Sequence, residues 1–418
     1  MMNKEFFKKN RNKYIQEIEN KTITILFSGF SLPKSADQDF PFEVNKNFYY
    51  MTGIKQEQTI LVIIKNDSKI EEMLFITEND PVLSKWQGKK ITKEEASSIS
   101  GIDAIHYLGA FDNTIFTILN NTRKSNYEIK AVYLDLERRI EEHVNSSSLN
   151  YVRKLQSIYP ELTIKNAYNI IVSLRMIKDE NEIEKIKESI NTTKAALENV
   201  MLNIRNSSYE YQVQNYFDSY IRYNSNKENA FPTICASGKN ATILHYTAND
   251  AKLLKDDLIL LDLGCRSQYY VSDISRTYPI SGKFSDRQKQ VYEAVLRVNE
   301  ACIAFLKPGL TWEDYNKYAN SLLTMELKKL KIIQNDSDLT KYYYHSIGHM
   351  IGLDTHDPVL RNIPFKAGMV MTVEPGVYIE EEGIGVRIED NILITETGSI
   401  NLSKNIIKST QDIENFMK

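Results

Sequence analysis

Short apolar runs separated by polar breaks fill the first 170 residues of the chain. Residues 22–27 (TITILF), 59–64 (TILVII), 73–76 (MLFI) and 131–136 are β-branched or aliphatic, as buried strands are. Stretches near 92–99, 112–121 and 150–157 between them carry a looser helical period. Near residue 172 the pattern changes. Asp179-x-x-Glu182 reads as a capping box, after which Ile183, Ile186, Ile190, Leu197 and Val200 recur at helical spacing. A second long helix is predicted from Ser285-x-x-Gln288, with Val291, Val295, Val298, Cys302 and Phe305 inward and Pro308-Gly309 as its stop. A third follows Thr311, with Tyr315, Tyr318, Leu322 and Met325 predicted to face the core. Strands are predicted at 258–264, 269–274, 370–376 and 384–390, the first two as a hairpin. Side chains alternate along a strand, so Arg387 and Glu389 are expected on one face.

Length and composition add limits. A chain of 418 residues is too long for one ordinary core, which predicts two domains, 1–172 and 173–418. The first reads as α/β and the whole as α+β. Hydrophobic content of 42% and charged content of 26% are those of a soluble globular protein. A net charge of −3 gives no reason to expect nucleic acid or an anionic membrane as partner. Nothing approaches the ~18 apolar residues of a membrane span, and residues 1–14 contain no apolar signal core. Cys235, Cys265 and Cys302 are odd in number and far apart, so free thiols in a reducing, cytoplasmic compartment are expected.

The chemistry concentrates late in the chain. Residues 345–357 (HSIGHMIGLDTHD) hold three of the six histidines. His345 and His349 stand four apart, as in a zincin helix, but Ser346 occupies the place of that motif's glutamate and two glycines disfavour a helix. Any metal here needs ligands from elsewhere. Four lone acids supply candidates, because Asp262, Asp273, Glu374 and Glu389 sit in runs that otherwise read as buried. A buried carboxylate is costly unless it is paired or holds a cation. Each alone reads more simply as a strand-end acid or a salt bridge. Together with a histidine cluster they point to two divalent ions, with oxygen-rich ligation that favours a hard ion such as Mn²⁺ over zinc.

Asp262 with Asp273, His349 in GHMIGLDTHD, Glu374 in TVEPGVY and Glu389 in GVRIEDN resemble, in order and spacing, the ligands of the pita-bread metallopeptidases. Within that superfamily the chain resembles the aminopeptidase P family, and residues 39–53 (DFPFEVNKNFYYMTG) are similar to a hallmark of that family's N-terminal domain. Asn47 departs from the pattern, which has an aspartate there, and the departure concerns a contact to the active-site mouth or a neighbouring subunit. The resemblance implies a pita-bread catalytic domain at 173–418. It implies release of the residue before a proline in second position, by a metal-bridging water or hydroxide. Asp262, Asp273, His349, Glu374 and Glu389 would be ligands, with Glu374 also the general base. His245 and His356 would bind substrate and stabilise the tetrahedral intermediate, while His345, Tyr378 and Arg387 would line the proline pocket. Arg387 has a plainer reading as a partner of Glu389. His106 and His143 match no motif.

The fold leaves other readings open, creatine amidinohydrolase among them, which no feature of the chain favours. A prolidase, restricted to dipeptides, would use the same ligands. A methionine aminopeptidase lacks the N-terminal domain. A non-enzymatic peptide-binding member should have lost a ligand, and none is missing. A homo-oligomer, dimer or tetramer, is expected.

Overall fold

The computed structural model describes residues 2–120, 127–138, 146–225, 227–360 and 362–418. His143 lies outside these. The chain forms two compact units, Met1–Arg175 and Met176–Lys418.

In the first unit one mixed sheet has the strand order 104–107, 69–76, 60–66, 22–27, 131–134, 163–166. Thr22–Phe27 pairs antiparallel with Ile60–Asn66 and parallel with Ala131–Leu134. Ile23 and Ile25 face a core with Val62, Phe75, Phe111, Ile115 and Leu155, so helices Phe111–Leu119 and Ser147–Ile158 cover that side. Thr24 points the other way, within 3.0 Å of the Tyr14 hydroxyl on helix Lys4–Glu17. Covered on both faces, the strands read as continuous apolar runs.

Asn47 is 2% exposed. Its amide nitrogen donates to Asp135 (3.0 Å) and its oxygen accepts from Arg175 (2.7 Å). An aspartate at 47 would set a second carboxylate against Asp135, whose own pKa burial already raises. The amide relieves that repulsion.

In the second unit Asp179, Ser285 and Thr311 cap the long helices Glu180–Asn203, Asp286–Phe305 and Trp312–Lys329, each through a reciprocal capping box. The inward face of the last differs from the expectation. Tyr315, Ala319, Leu323, Glu326 and Leu327 are buried, whereas Met325 is 45% exposed. Two apolar stripes share Tyr315. The one that packs includes Glu326, a charge that disguises it in the sequence and that ion-pairs with Arg297 and Lys329.

The strands around the site are interrupted. Leu258–Leu263 pairs with Ile234–Ser237 and Ile274–Pro279. Past a bend at Gly264 the same hairpin continues as Cys265–Ser267 against Tyr270–Val271, closed by Gln268 and Tyr269 at φ 51° and 71°. Residues 384–390, expected as one strand, are two. Ile384–Arg387 pairs with Gly376–Ile379, and Asp390–Ile394 pairs with Val370–Val373. Pro375 explains the gap, since it has no N–H for the ladder; the Ile388 N–H instead reaches the Pro375 carbonyl at 3.3 Å.

Arg276 fastens this region from behind. Fully buried, its guanidinium donates to the carbonyls of Ser275, Glu389 and Ile407 and ion-pairs with Asp390 at 2.8 Å. Lys408 meets the same aspartate at 2.8 Å. Arg276→Met is expected to cost about 3–5 kcal/mol, because it leaves Asp390 short of its buried partner. The urea midpoint of the purified variant checks this, and an unchanged midpoint would show the pair to be dispensable.

Candidate active site

The four acids converge because each stands where a ladder ends. Asp262 is the second-last residue of its strand and lies opposite Ser275, while Asp273 immediately precedes Ile274. Glu374 follows Val373, and Glu389 precedes Asp390, across the break at Pro375. The ladder fixes their backbones, and the break frees their side chains to point into one cleft of about 270 Å³.

The histidine segment is not helical. Residues 347–351 run beside 370–374, with His349 N–H on Thr372 Oγ1 (2.9 Å), Ile351 N–H on the Val370 carbonyl (3.1 Å) and Glu374 N–H on the Ile347 carbonyl (2.9 Å). Gly348 allows this approach, since a Cβ there would fall 2.1 Å from the Thr372 carbonyl oxygen. His349 Nδ1–H is directed at the Met350 carbonyl (3.0 Å), which leaves Nε2 3.3 Å from Asp273 Oδ2 and 3.5 Å from Glu374 Oε1. Ligand atoms of Asp273, His349 and Glu389 all lie within 4.8 Å of one another.

Electrostatics show how strongly these groups act on one another. Burial, then Asp262, pushes Asp273 up to about 7. Burial, then Asp273, pushes Glu389 well above the carboxylate range, and burial raises Glu374. Burial opposes the His349 imidazolium, but Asp273 and Glu374 outweigh it and hold that pKa at about 9. Asp262 Oδ1 is buried with no hydrogen-bond partner. Four crowded acids outnumber the positive groups beside them, His349 and Arg387, and hard oxygen donors with one imidazole fit a divalent cation.

The remaining expected residues surround this cluster. His245, His345, His356 and Arg387 line the cleft with Leu244 and Ser346. His356 stacks near His349, ring centroids 4.0 Å apart, and desolvation with the His349 charge lowers its pKa to about 4. His345 is likewise lowered to about 4, by burial and then Arg387. Its Nδ1–H donates to the Ser346 carbonyl (2.8 Å), so Nε2 accepts from the Tyr378 hydroxyl (2.8 Å), which accepts from Arg387 (3.1 Å). Arg387 does not pair with Glu389 directly. Its Nη2 meets Asp262 Oδ2 at 2.7 Å, and its Nε meets Ser275 Oγ at 2.7 Å, whose hydroxyl donates to Glu389 at 2.7 Å. Ser275 and Thr372, which donates to Glu374 at 3.1 Å, escaped the sequence reading. Their signal was position, two residues from Asp273 and Glu374 on the same strand face. His106 lies in the first unit, stacked on Phe75.

Residues 184–396 match the model of metallopeptidase family M24, and residues 7–127 match the aminopeptidase P N-terminal domain. A Haemophilus influenzae Xaa-Pro aminopeptidase is 31% identical over 99% of this chain and 97% of its own. This chain belongs to metallopeptidase family M24. It is a metallo-aminopeptidase of two domains, N-terminal and catalytic, in an α+β pita-bread architecture. Human Xaa-Pro aminopeptidase 3 is 29% identical over 94% of the chain and 80% of its own. Among solved structures of the family, a candidate aminopeptidase P from Bacillus anthracis aligns with TM-score 0.95 and 43% identity, covering 100% and 98% of the two chains. Aminopeptidase P from E. coli with the inhibitor Pro-Leu aligns with TM-score 0.90 and 27% identity over the same shares.

Proposed function

We propose that this M24 enzyme is an Xaa-Pro aminopeptidase that releases the N-terminal residue from peptides with proline in second position. The observation that carries the reading is the single cleft in which four carboxylates and His349 stand beside the His345–Tyr378–Arg387 chain. The names of its relatives agree. Asp262, Asp273, His349, Glu374 and Glu389 would hold two divalent ions, Mn²⁺ by their oxygen-rich chemistry. Bound there, such ions supply Lewis acidity toward a carbonyl oxygen and toward a water.

The residues do the rest. Glu374 takes a proton from the attacking water and delivers it to the prolyl nitrogen as the peptide bond breaks. His356, which burial keeps neutral, and His245, both lining the cleft, donate hydrogen bonds to the oxygen that becomes negative. His345 offers a wall for the proline ring, and Tyr378, expected there too but outside the cleft lining, backs it through their 2.8 Å hydrogen bond. The bond to proline is a tertiary amide without N–H, so no acceptor is needed opposite it.

Arg387 also separates this reading from a prolidase. A dipeptide enzyme needs a free guanidinium for the proline carboxylate. Among the described residues Arg387 is the arginine lining the cleft, is 3% exposed, and is already committed to Asp262, Tyr378 and Ser275. Ala-Pro-Ala is therefore expected to exceed Ala-Pro in kcat/KM. A tenfold or greater advantage for the dipeptide would make the enzyme a prolidase.

No helix among the described residues is long and apolar enough to cross a membrane. Three buried free thiols suit the cytoplasm. A homo-oligomer is consistent with exposed Val82, Leu83 and Trp86 on one short segment, and light scattering tests it.

A further inference from the structure

We propose that Lys178 is a positioning residue for His356, acting through a buried ion pair with Asp357. The inference rests on the reading that His356 meets the substrate. Lys178 Nζ lies 2.9 Å from Asp357 Oδ2, and both side chains are 1% exposed. Neither residue lines the cleft.

Each partner is held from its own side. The Lys178 N–H donates to the Gly368 carbonyl at 2.9 Å, and the next residue, Asp179, caps helix Glu180–Asn203. The Asp357 N–H donates to the Met350 carbonyl at 2.8 Å, and its Oδ1 accepts from the Asp354 N–H at 3.2 Å. Residues 350–357 are thereby closed into a loop. His349 stands at its entrance and His356 one residue before its anchor. At Gly352 a Cβ would fall 2.6 Å from Asp357 Oδ2 and 2.9 Å from Lys178 Cε, so the loop is wrapped tightly on the pair. The Gly352 carbonyl accepts from the Val271 N–H at 3.0 Å, and Tyr270 donates to Glu182 on the same helix at 2.8 Å. One helix start thus registers the histidine loop against the strand that leads to Asp273.

Stability alone does not explain a charged pair in such a place. Apolar residues of similar volume generally stabilise a fold as well or better, because each buried ion loses its hydration. What the pair adds is direction: Asp357 turns toward Lys178, and the backbone of His356 is fixed with it. The His356 imidazole then keeps its place 4.0 Å from that of His349.

The test is a mutant cycle on metal-loaded enzyme, reading kcat/KM for Ala-Pro-Ala. Lys178→Met is expected to lower kcat/KM about 10–100-fold with metal content unchanged, as loss of an outer support does. In a His356→Ala background it should add less than about twofold, because the two losses share one route. The charge-free pair Lys178→Met/Asp357→Leu should regain thermal stability and remain slow, and it replaces Lys178→Met in the cycle if that variant does not fold. Multiplicative losses, or wild-type kcat/KM in a Lys178 variant, overturn the proposal and leave the role of His356 standing. Full activity of His356→Ala overturns both.

Discussion

Glu374→Gln is expected to fold, to keep its metal and to lose about 10²–10⁴-fold in kcat, the usual worth of a general base. The amide is nearly isosteric, and its oxygen can still accept from Thr372, which lies 3.1 Å from the carboxylate. What it cannot do is carry a proton. Burial raises the Glu374 pKa, and a more basic carboxylate is a better acceptor from water. Because Glu374 Oε1 also faces His349 Nε2 at 3.5 Å, metal content is measured on the same preparation. A loss smaller than tenfold with metal intact would assign the base elsewhere.

Removing the metal should have the other large effect. Prolonged dialysis against a chelator is expected to abolish turnover, and Mn²⁺ to restore it better than Zn²⁺. The same treatment should lower the melting temperature. An ion present at about 1,000 times its dissociation constant adds about 4 kcal/mol to the folded state, and without it the buried acids Asp273 and Glu389 repel each other with His349 and Arg387 as their positive neighbours. Full activity in a preparation shown to be metal-free would refute the ligand assignment.

How far the sequence carried depended on whether a signal was local. Strand Thr22–Phe27 and the three capped helices announce themselves through burial and capping within a few residues. The lone acids were visible because a carboxylate in an apolar run is costly wherever it ends up. Helix Glu210–Asn224 went unread although Val213, Phe217 and Ile221 recur at helical spacing; what the sequence does not show is that Glu210 at its start is buried, its carboxylate taking bonds from Ser237, Asn240 and Tyr246 far along the chain. The Arg387–Asp262 pair spans 125 residues, so the sequence offers Glu389, two residues away, as the plainer partner. Pro375 lies inside a run expected as one strand, 370–376, and the pairing stops there, with the Ile388 N–H on its carbonyl.

The Arg276 seam makes the far end of the chain a part of catalysis. Residues 406–408 contribute nothing to the cleft wall, yet the Ile407 carbonyl accepts from Arg276 and Lys408 donates to Asp390, one residue from Glu389. A single protease nick in that tail would leave every catalytic side chain covalently in place and still loosen the floor on which one of them stands. Inactivation during storage or turnover would then begin at a surface segment remote from the chemistry, and loss of peptidase activity would report the clip before any loss of mass from the core.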